Sequence, residues 1–204
     1  MQLGMESWFS NFSQLSRSWN SPETLADIPR PYLEYAVWGL FKGAEVVCYI
    51  NHVKLNALIA QILFEFQGRF LLAGIFAGPP LALSYAYSVG LDEMEMKQKC
   101  YEIRCDTDGM TIDRCAFVWG FVGWYWKRFQ GAVDGINLGV AYAIFNNKVL
   151  SQYTSPLLRD KVLPEERYEN VEAAMENKSK LVKFMAEENR KFRQITGTSD
   201  NSKQ

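Results

Sequence analysis

A chain of 204 residues with a formal net charge of −1 has the length of one domain and lacks the basic footprint of a nucleic-acid-binding protein. Its four Cys form no C-x-x-C pair and His52 is its only histidine, which argues against a disulfide scaffold, a Cys/His zinc site or any other metal centre. The mean hydropathy of −0.17 resembles that of a soluble protein, but charge is uneven: residues 70–91 carry none, while the C-terminal stretch is dense in Lys, Arg and Glu.

Residues 1–31 form an N-terminal extension in this reading. Trp8, Phe9, Phe12, Leu15 and Trp19 share one face of a short amphipathic helix. That face suits a membrane surface, a partner protein or the chain's own body, and the sequence leaves these open. Neither a secretory signal nor an Arg-rich presequence is evident, so any mitochondrial targeting information is expected to be internal.

The first candidate span covers about residues 32–50 and is interrupted by Glu34, Lys42 and Glu45. A lone lipid-facing helix would not carry them, whereas a helix in a bundle or a soluble amphipathic helix would. Asn51 to Gln67 follows as an amphipathic lead-in, with Leu55, Leu58, Ile59, Ile62, Leu63 and Phe66 at helical spacing. The second span, about 68–91, contains the uncharged run from Phe70 to Leu91, which at 1.5 Å per residue reaches roughly 33 Å and crosses a bilayer core. Pro79-Pro80 in its middle is expected to kink it.

Residues 92–114 read as a polar, net acidic loop. Asp106-Thr-Asp-Gly109 lacks the later ligands of a calcium loop and reads as a solvated turn. A third span at about 112–127, rich in Trp and Phe, ends in Lys127-Arg128, and a fourth follows at about 131–147, making an antiparallel hairpin. Asp134 near its start is placed to pair with Lys127 or Arg128. Residues 149–204 form a soluble extension with a long polar helix at about 164–194, whose incomplete apolar stripe suits docking along a partner, and a disordered tail from Gly197.

Small residues recur at four-residue spacing in these spans: Gly39 and Gly43; Gly74, Gly78, Ala82 and Ala86; Ala116 and Gly120; Gly131, Gly135, Gly139 and Ala143. Each interior Gly costs a soluble helix about 1 kcal/mol against Ala. In a bilayer such a face lets backbones approach closely, and close approach drives association there. The expected fold is therefore an all-α membrane protein of four short Gly-rich transmembrane helices occupying 32–148. The stripes of the second and fourth spans are expected to meet. By the positive-inside rule, Lys54, Arg69, Lys127 and Arg128 face the bacterial cytoplasm or mitochondrial matrix, and both termini and the 92–114 loop lie across the membrane. In that compartment Cys100 and Cys105 are candidates for a disulfide if backbone geometry allows, whereas Cys48 and Cys115 read as buried thiols.

The hairpin Asp113-Arg114-Cys-Ala-Phe-Val-Trp-Gly120-Phe-Val-Gly123, followed by Gly131-Ala-Val-Asp-Gly135-Ile-Asn-Leu-Gly139, resembles the mitochondrial inner-membrane preprotein translocase superfamily. Within it, the order of elements over about residues 32–148 is most similar to the four-helix accessory subunits of respiratory complex I, the alpha-subcomplex subunit 11 family of NADH:ubiquinone oxidoreductase. The superfamily's Arg, Asp and Gly signature is not met after Arg69, which weighs more against a translocase than against the complex I family. The resemblance implies a non-catalytic subunit of the mitochondrial inner membrane, without a redox cofactor. Its partners would be other membrane-arm subunits and neighbouring respiratory complexes in supercomplexes. Lys127 and Arg128 are then placed to meet anionic head groups such as cardiolipin. The alternative is a protein or solute translocase component, for which Asp134, Asn137 and Ser84 are the candidate polar lining.

Overall fold

The computed structural model describes residues 5–13, 21–53, 57–150, 153 and 164–196, with side chains undescribed at 51–67 and from 193 on. Leu15, Trp19, Lys54, Leu55 and the tail from Gly197 lie outside the described residues, as do the side chains from Leu58 to Phe66. The described residues are helical with no strand: α1 (Glu6–Ser13), α2 (Pro22–Leu25), α3 (Pro31–Val53), α4 (Ala57–Val89), α5 (Glu93–Cys105), α6 (Thr107–Phe145) and α7 (Val171–Thr196). A π-helical turn, Asn146–Leu150, follows α6, and a 3-10 turn, Pro164–Glu166, precedes α7.

The bundle consists of α3, α4 and the two limbs of α6. Backbone geometry breaks α6 at Lys127 (φ −126°, ψ 21°) and Arg128 (φ 56°, ψ −138°), which separates a limb at 107–126 from one at 129–145. The glycines give the pairing. A Cβ built on Gly39 would sit 2.7 Å from the Ala82 Cβ, and one on Gly43 2.9 Å from the Gly78 Cα. One on Gly74 would sit 2.6 Å from the Gly43 carbonyl oxygen. As numbers rise along α3 they fall along α4, so the two helices are antiparallel with their backbones in contact. The limbs of α6 do the same, with Gly123 on Gly131, Gly135 on the Trp119 carbonyl and Gly139 on that of Cys115; a Cβ at Gly120 would meet Ile136 Cγ1 at 2.8 Å. The stripe of the fourth segment thus meets the third, and that of the second meets the first. The expected contact between the second and fourth stripes is corrected. The reason is chain connectivity: helices adjacent in sequence pack together, and each glycine groove closes on its immediate neighbour.

Helix α4 runs through Pro79 and Pro80. The pair removes the two N–H groups that would bond the Ile75 and Phe76 carbonyls. The amphipathic segment expected to lead into the second span is continuous with it in one helix from Ala57 onward.

Residues 92–114 are not a loop. Glu95 Oε2 accepts from the Asp92 backbone N–H at 3.1 Å, one arm of a capping box that starts α5. Its face of Met96, Cys100, Tyr101, Arg104 and Cys105 is buried. Asp106 then caps α6, its Oδ1 accepting from Gly109 N–H at 3.1 Å. That cap is the work of the Asp-x-x-Gly turn. No disulfide joins Cys100 and Cys105, so the candidate pairing is corrected. Five residues apart on one helix, their side chains leave the axis about 140° apart, and the Cys100 thiol donates to the Pro31 carbonyl at 3.2 Å. The C-terminal helix begins at Val171 instead of Pro164, because Gln98 Oε1 accepts from the Val171 N–H at 2.9 Å and caps the helix there.

Two cores result. One is a cap of α2, α5, the start of α3 and the start of α7, filled by Leu25, Ile28, Tyr35, Met96, Tyr101 and Val171. The other is the bundle interior, built from Ala44, Cys48, Leu71, Ala116, Ala132, Val133 and Ile136. The cap and the Lys127–Arg128 turn occupy opposite ends of the bundle, since α3 starts at the cap and α6 turns at its far end.

By length and composition, one helical stretch among the described residues is apolar enough to cross a membrane, Gly68–Val89, with mean hydropathy 1.4. The expected four spans reduce to one by that criterion. Segments 32–50, 112–127 and 131–147 are held below it by Glu34, Lys42, Glu45, Asp113, Arg114, Lys127 and Asp134.

Candidate functional site

The charges that interrupt the apolar segments are the feature to explain, since an ionisable group on a bundle helix needs a partner. Lys42 and Glu45, three residues apart on α3, share a face, and Lys42 Nζ lies 2.9 Å from Glu45 Oε2. The first limb of α6 brings Asp113 to the same ammonium, with Oδ1 at 2.5 Å. The Asp113 side chain is 7% exposed and that of Glu45 14%. Two carboxylates thus converge on one ammonium between α3 and α6, and Glu45 Oε1 is buried with no hydrogen-bond partner.

Glu45 also borders an open groove of about 260 Å³ between α3, α4 and both limbs of α6. The rest of its wall is apolar, with Leu40, Ile75 and Ile136 beside the rings of Phe41, Phe117, Phe121, Trp124 and Phe129.

A second charged centre joins cap to bundle. All five N–H donors of Arg104 are used. Its Nε reaches Glu34 Oε2 at 2.9 Å and its Nη2 reaches Glu34 Oε1 at 2.5 Å and Ser7 Oγ at 3.1 Å. Its Nη1 donates to the carbonyls of Leu25 at 2.9 Å and Asp27 at 3.0 Å. Arg114 donates to the carbonyls of Phe12 at 2.8 Å and Asn11 at 2.5 Å at the end of α1. With Trp8 stacked on Phe12 at 5.0 Å and Phe12 on Phe41 at 5.3 Å, α1 packs against the protein's own body. The exposed Phe9 turns away from that contact.

At the far end, Lys127 and Arg128 are exposed. With Arg69 they line an open hollow of about 510 Å³ that also includes Gly68, Leu72 and Phe129. Arg128 adopts the positive φ that glycine takes more cheaply, and its guanidinium lies 5.7 Å over the Trp124 ring. Asp134 is exposed, and among the described residues no ion pair joins it to Lys127 or Arg128. Among the described residues no cluster of three or more Cys, His, Asp or Glu is arranged to hold a metal ion.

A family model described as a protein of unknown function, DUF1757, matches residues 8–146. The chain belongs to the DUF1757 family. No curated protein and no solved structure matches it. The matched DUF1757 region takes in Trp8, Glu34, Lys42, Arg104 and Asp113, and so both charged centres, and ends before α7.

The structure brings most of the small residues named from the sequence into backbone contact; the sequence indicated the hairpin of the third and fourth segments but not the pairing of the first with the second. Sequence reasoning missed Arg104 and Asp113 as partners of Glu34 and Lys42. The available signal was the interruption itself: a base and an acid three apart in an apolar helix call for a further charge from another element.

Proposed function

We propose that this DUF1757 protein is a non-catalytic, multi-pass subunit of the mitochondrial inner membrane that stabilises the membrane arm of NADH:ubiquinone oxidoreductase and its contacts in respiratory supercomplexes. The observation that carries the membrane part is an inverted side-chain distribution. The bundle interior is mainly glycine, alanine and backbone. Large apolar side chains point out: Phe76 is 73% exposed, Tyr87 90%, Tyr125 75% and Trp126 78%. Soluble proteins bury such residues, and a contiguous exposed apolar belt marks contact with lipid or protein. The charges that depress hydropathy in three segments are largely turned inward and paired, as with Lys42–Asp113 and Glu34–Arg104, so they do not oppose a bilayer around the outside. The four-helix count, the compartment and the complex I assignment rest in addition on the resemblance of the hairpin 113–139 to that family. Lys127, Arg128 and Arg69 at one end suit anionic lipid head groups such as cardiolipin.

The translocase reading needs a polar, water-accessible helix face. Asp134 and Ser84 are exposed and Asn137 is half-buried, but on their helix faces Leu138, Leu81 and Tyr87 are exposed too, so the accessory reading is preferred.

Two measurements test the proposal. Alkaline carbonate treatment of native membranes is expected to leave the chain in the pellet; release into the supernatant removes the membrane reading. On a non-denaturing gel of gently solubilised mitochondria the chain is expected to migrate with NADH dehydrogenase activity; migration as a free species removes the complex I reading and leaves the membrane reading standing.

A further inference from the structure

Helix α7 leaves the body of the protein after its first two turns. Val171 and Ala174 are buried on the cap, Lys178 is half-buried, and every side chain from Ser179 to Phe192 is exposed. The exposed part is still amphipathic, with Leu181, Val182, Phe184, Met185 and Phe192 facing solvent. Leu181, Met185 and Phe192 continue the stripe of Val171 and Ala174 at alternating steps of three and four residues, with Lys178 and Glu188 filling the two remaining places. That spacing belongs to a helix that packs along another helix. An isolated helix of this length is marginal in water, and an amphipathic one is stabilised by burying its apolar face. Within the chain Lys178 pairs with Asp27 at 2.7 Å and Glu188 with Lys191 at 3.0 Å, both at the surface, where such pairs contribute little.

The placement of the two charges says what covers the face. Lys178 and Glu188 lie five residues either side of Lys183, and Leu181 and Met185 two residues either side. A second α7 running antiparallel, with a two-fold axis level with Lys183, therefore sets Lys178 on Glu188 of the second copy and Leu181 on its Met185, and each contact occurs twice. Val182 and Phe184, one residue either side of the axis, then flank their own counterparts. Parallel pairing in register stacks Lys178 on Lys178 and Glu188 on Glu188, and like charges in a helix seam oppose association. We propose that α7 pairs two copies of this chain as an antiparallel helix dimer through residues 178–188. The contact spans about three turns of each helix, so the pairing is weak and concentration-dependent. The DUF1757 match ends at residue 146, so the pairing belongs to the part of the chain beyond it, and it stands apart from the membrane and complex I readings of the bundle.

The test uses the purified full chain in a mild detergent and a short bis-maleimide cross-linker. Val182→Cys, beside the axis, is expected to link to itself and give a product of twice the mass. Phe192→Cys is expected not to, because antiparallel pairing separates the two copies of residue 192 by roughly 27 Å at 1.5 Å per residue. Both residues are exposed, so these substitutions leave the fold intact. The unaltered chain, in which Cys48, Cys100 and Cys105 are buried and Cys115 is half-buried, sets the background. In the Val182→Cys chain, Lys178→Glu and Glu188→Lys each place like charges at both ends of the contact and are each expected to reduce linking about tenfold. A mixture of those two chains, one carrying a tag that changes its mass, is expected to link one to the other at the original level, since each presents the charge that the other needs. Self-linking at residue 192 overturns the antiparallel arrangement. Absence of linking at residue 182 overturns the second copy as the occupant, in favour of a lipid surface or another protein. A mixture that does not recover overturns the charge pairing that selects the second copy.

Discussion

Arg104 on α5 and Glu34 on α3 form a buried pair with two hydrogen bonds, from Nε to Oε2 at 2.9 Å and from Nη2 to Oε1 at 2.5 Å, their side chains 1% and 2% exposed. Seventy residues apart in sequence, they fasten the cap to the bundle. Removing one partner leaves the other charge buried and alone, which costs roughly 3–5 kcal/mol. Arg104→Leu is therefore expected to destabilise the protein by about that much in a thermal or chemical unfolding series. The double variant Arg104→Leu/Glu34→Leu is expected to recover part of the loss, because no unpaired charge remains. A double variant as unstable as the single one would show that the loss came from the other carbonyls and Ser7 that Arg104 holds.

The glycine grooves predict a sharp position dependence. Any side chain at Gly135 meets the Trp119 backbone carbonyl, and one at Gly43 meets that of Gly74. Backbone cannot yield as a side-chain tip can, so Gly135→Leu and Gly43→Leu are expected to cost more than the ~1–3 kcal/mol typical of overpacking. Incorporation into the native assembly, read by non-denaturing gel, should fall with them. Gly90 is the control: it has φ +74° and nothing within 4 Å, so Gly90→Ala meets only the left-handed backbone cost of about 1–2 kcal/mol. Normal assembly of the Gly135→Leu variant would show that the close approach is dispensable.

Burial pushes the Cys100 thiol from its ordinary 9.0 up to about 12, with the nearby Glu34 carboxylate acting in the same direction. A neutral, enclosed thiol is a poor nucleophile. At pH 8 Cys100 is expected to resist maleimide until the chain is unfolded, and non-reducing mass spectrometry should find no bond to Cys105. The same shift has a stability consequence. The unfolded thiol ionises first, so the stabilisation is fully present below about pH 9 and is lost as pH rises towards 12. A Cys100→Ala variant should show a shallower loss of stability over that alkaline range.

The start of α7 is held by few groups. Gln98 accepts from the Val171 N–H at 2.9 Å and donates to the Glu169 carbonyl at 3.0 Å. Tyr168 donates its hydroxyl to Glu23 at 2.7 Å, and Lys178 pairs with Asp27 at 2.7 Å. Among the described side chains of the helix only Val171 and Ala174 are buried, and Leu181, Val182, Phe184 and Met185 are exposed. Gln98→Ala is expected to weaken this docking by about 0.5–2 kcal/mol, the usual worth of a helix cap. Hydrogen exchange at the Val171 amide should quicken accordingly, with the exchange of amides in α3 and α4 unchanged.

Much of the bundle was legible in the chain because its signals are local. Four-residue spacing of Gly and Ala marks a helix face whatever that face touches, and Lys127-Arg128 marks a turn between two apolar runs. The cap was not legible. Residues 92–114 are so rich in charge that their average hides Met96, Cys100 and Arg104 at four-residue intervals, although Asp92 and Glu95 already spell a capping box. The site at the groove was partly legible: Lys42 and Glu45 stood out as interruptions, but nothing near them in sequence pointed to Asp113.

By itself, the sequence determined that the chain is helical, where its apolar segments run, and which helix faces are smooth enough for backbones to touch. These follow from periodicities of three to four residues that a single helix carries within itself. Tertiary structure alone decided that Gly39 and Gly43 meet Gly74 and Gly78, that the fourth stripe closes within its hairpin and not on the second, and that Glu34 and Lys42 find Arg104 and Asp113. A groove or a buried charge states that a partner is required. Which partner fills it depends on the geometry of turns and helices some seventy residues away, and no local pattern encodes that distance.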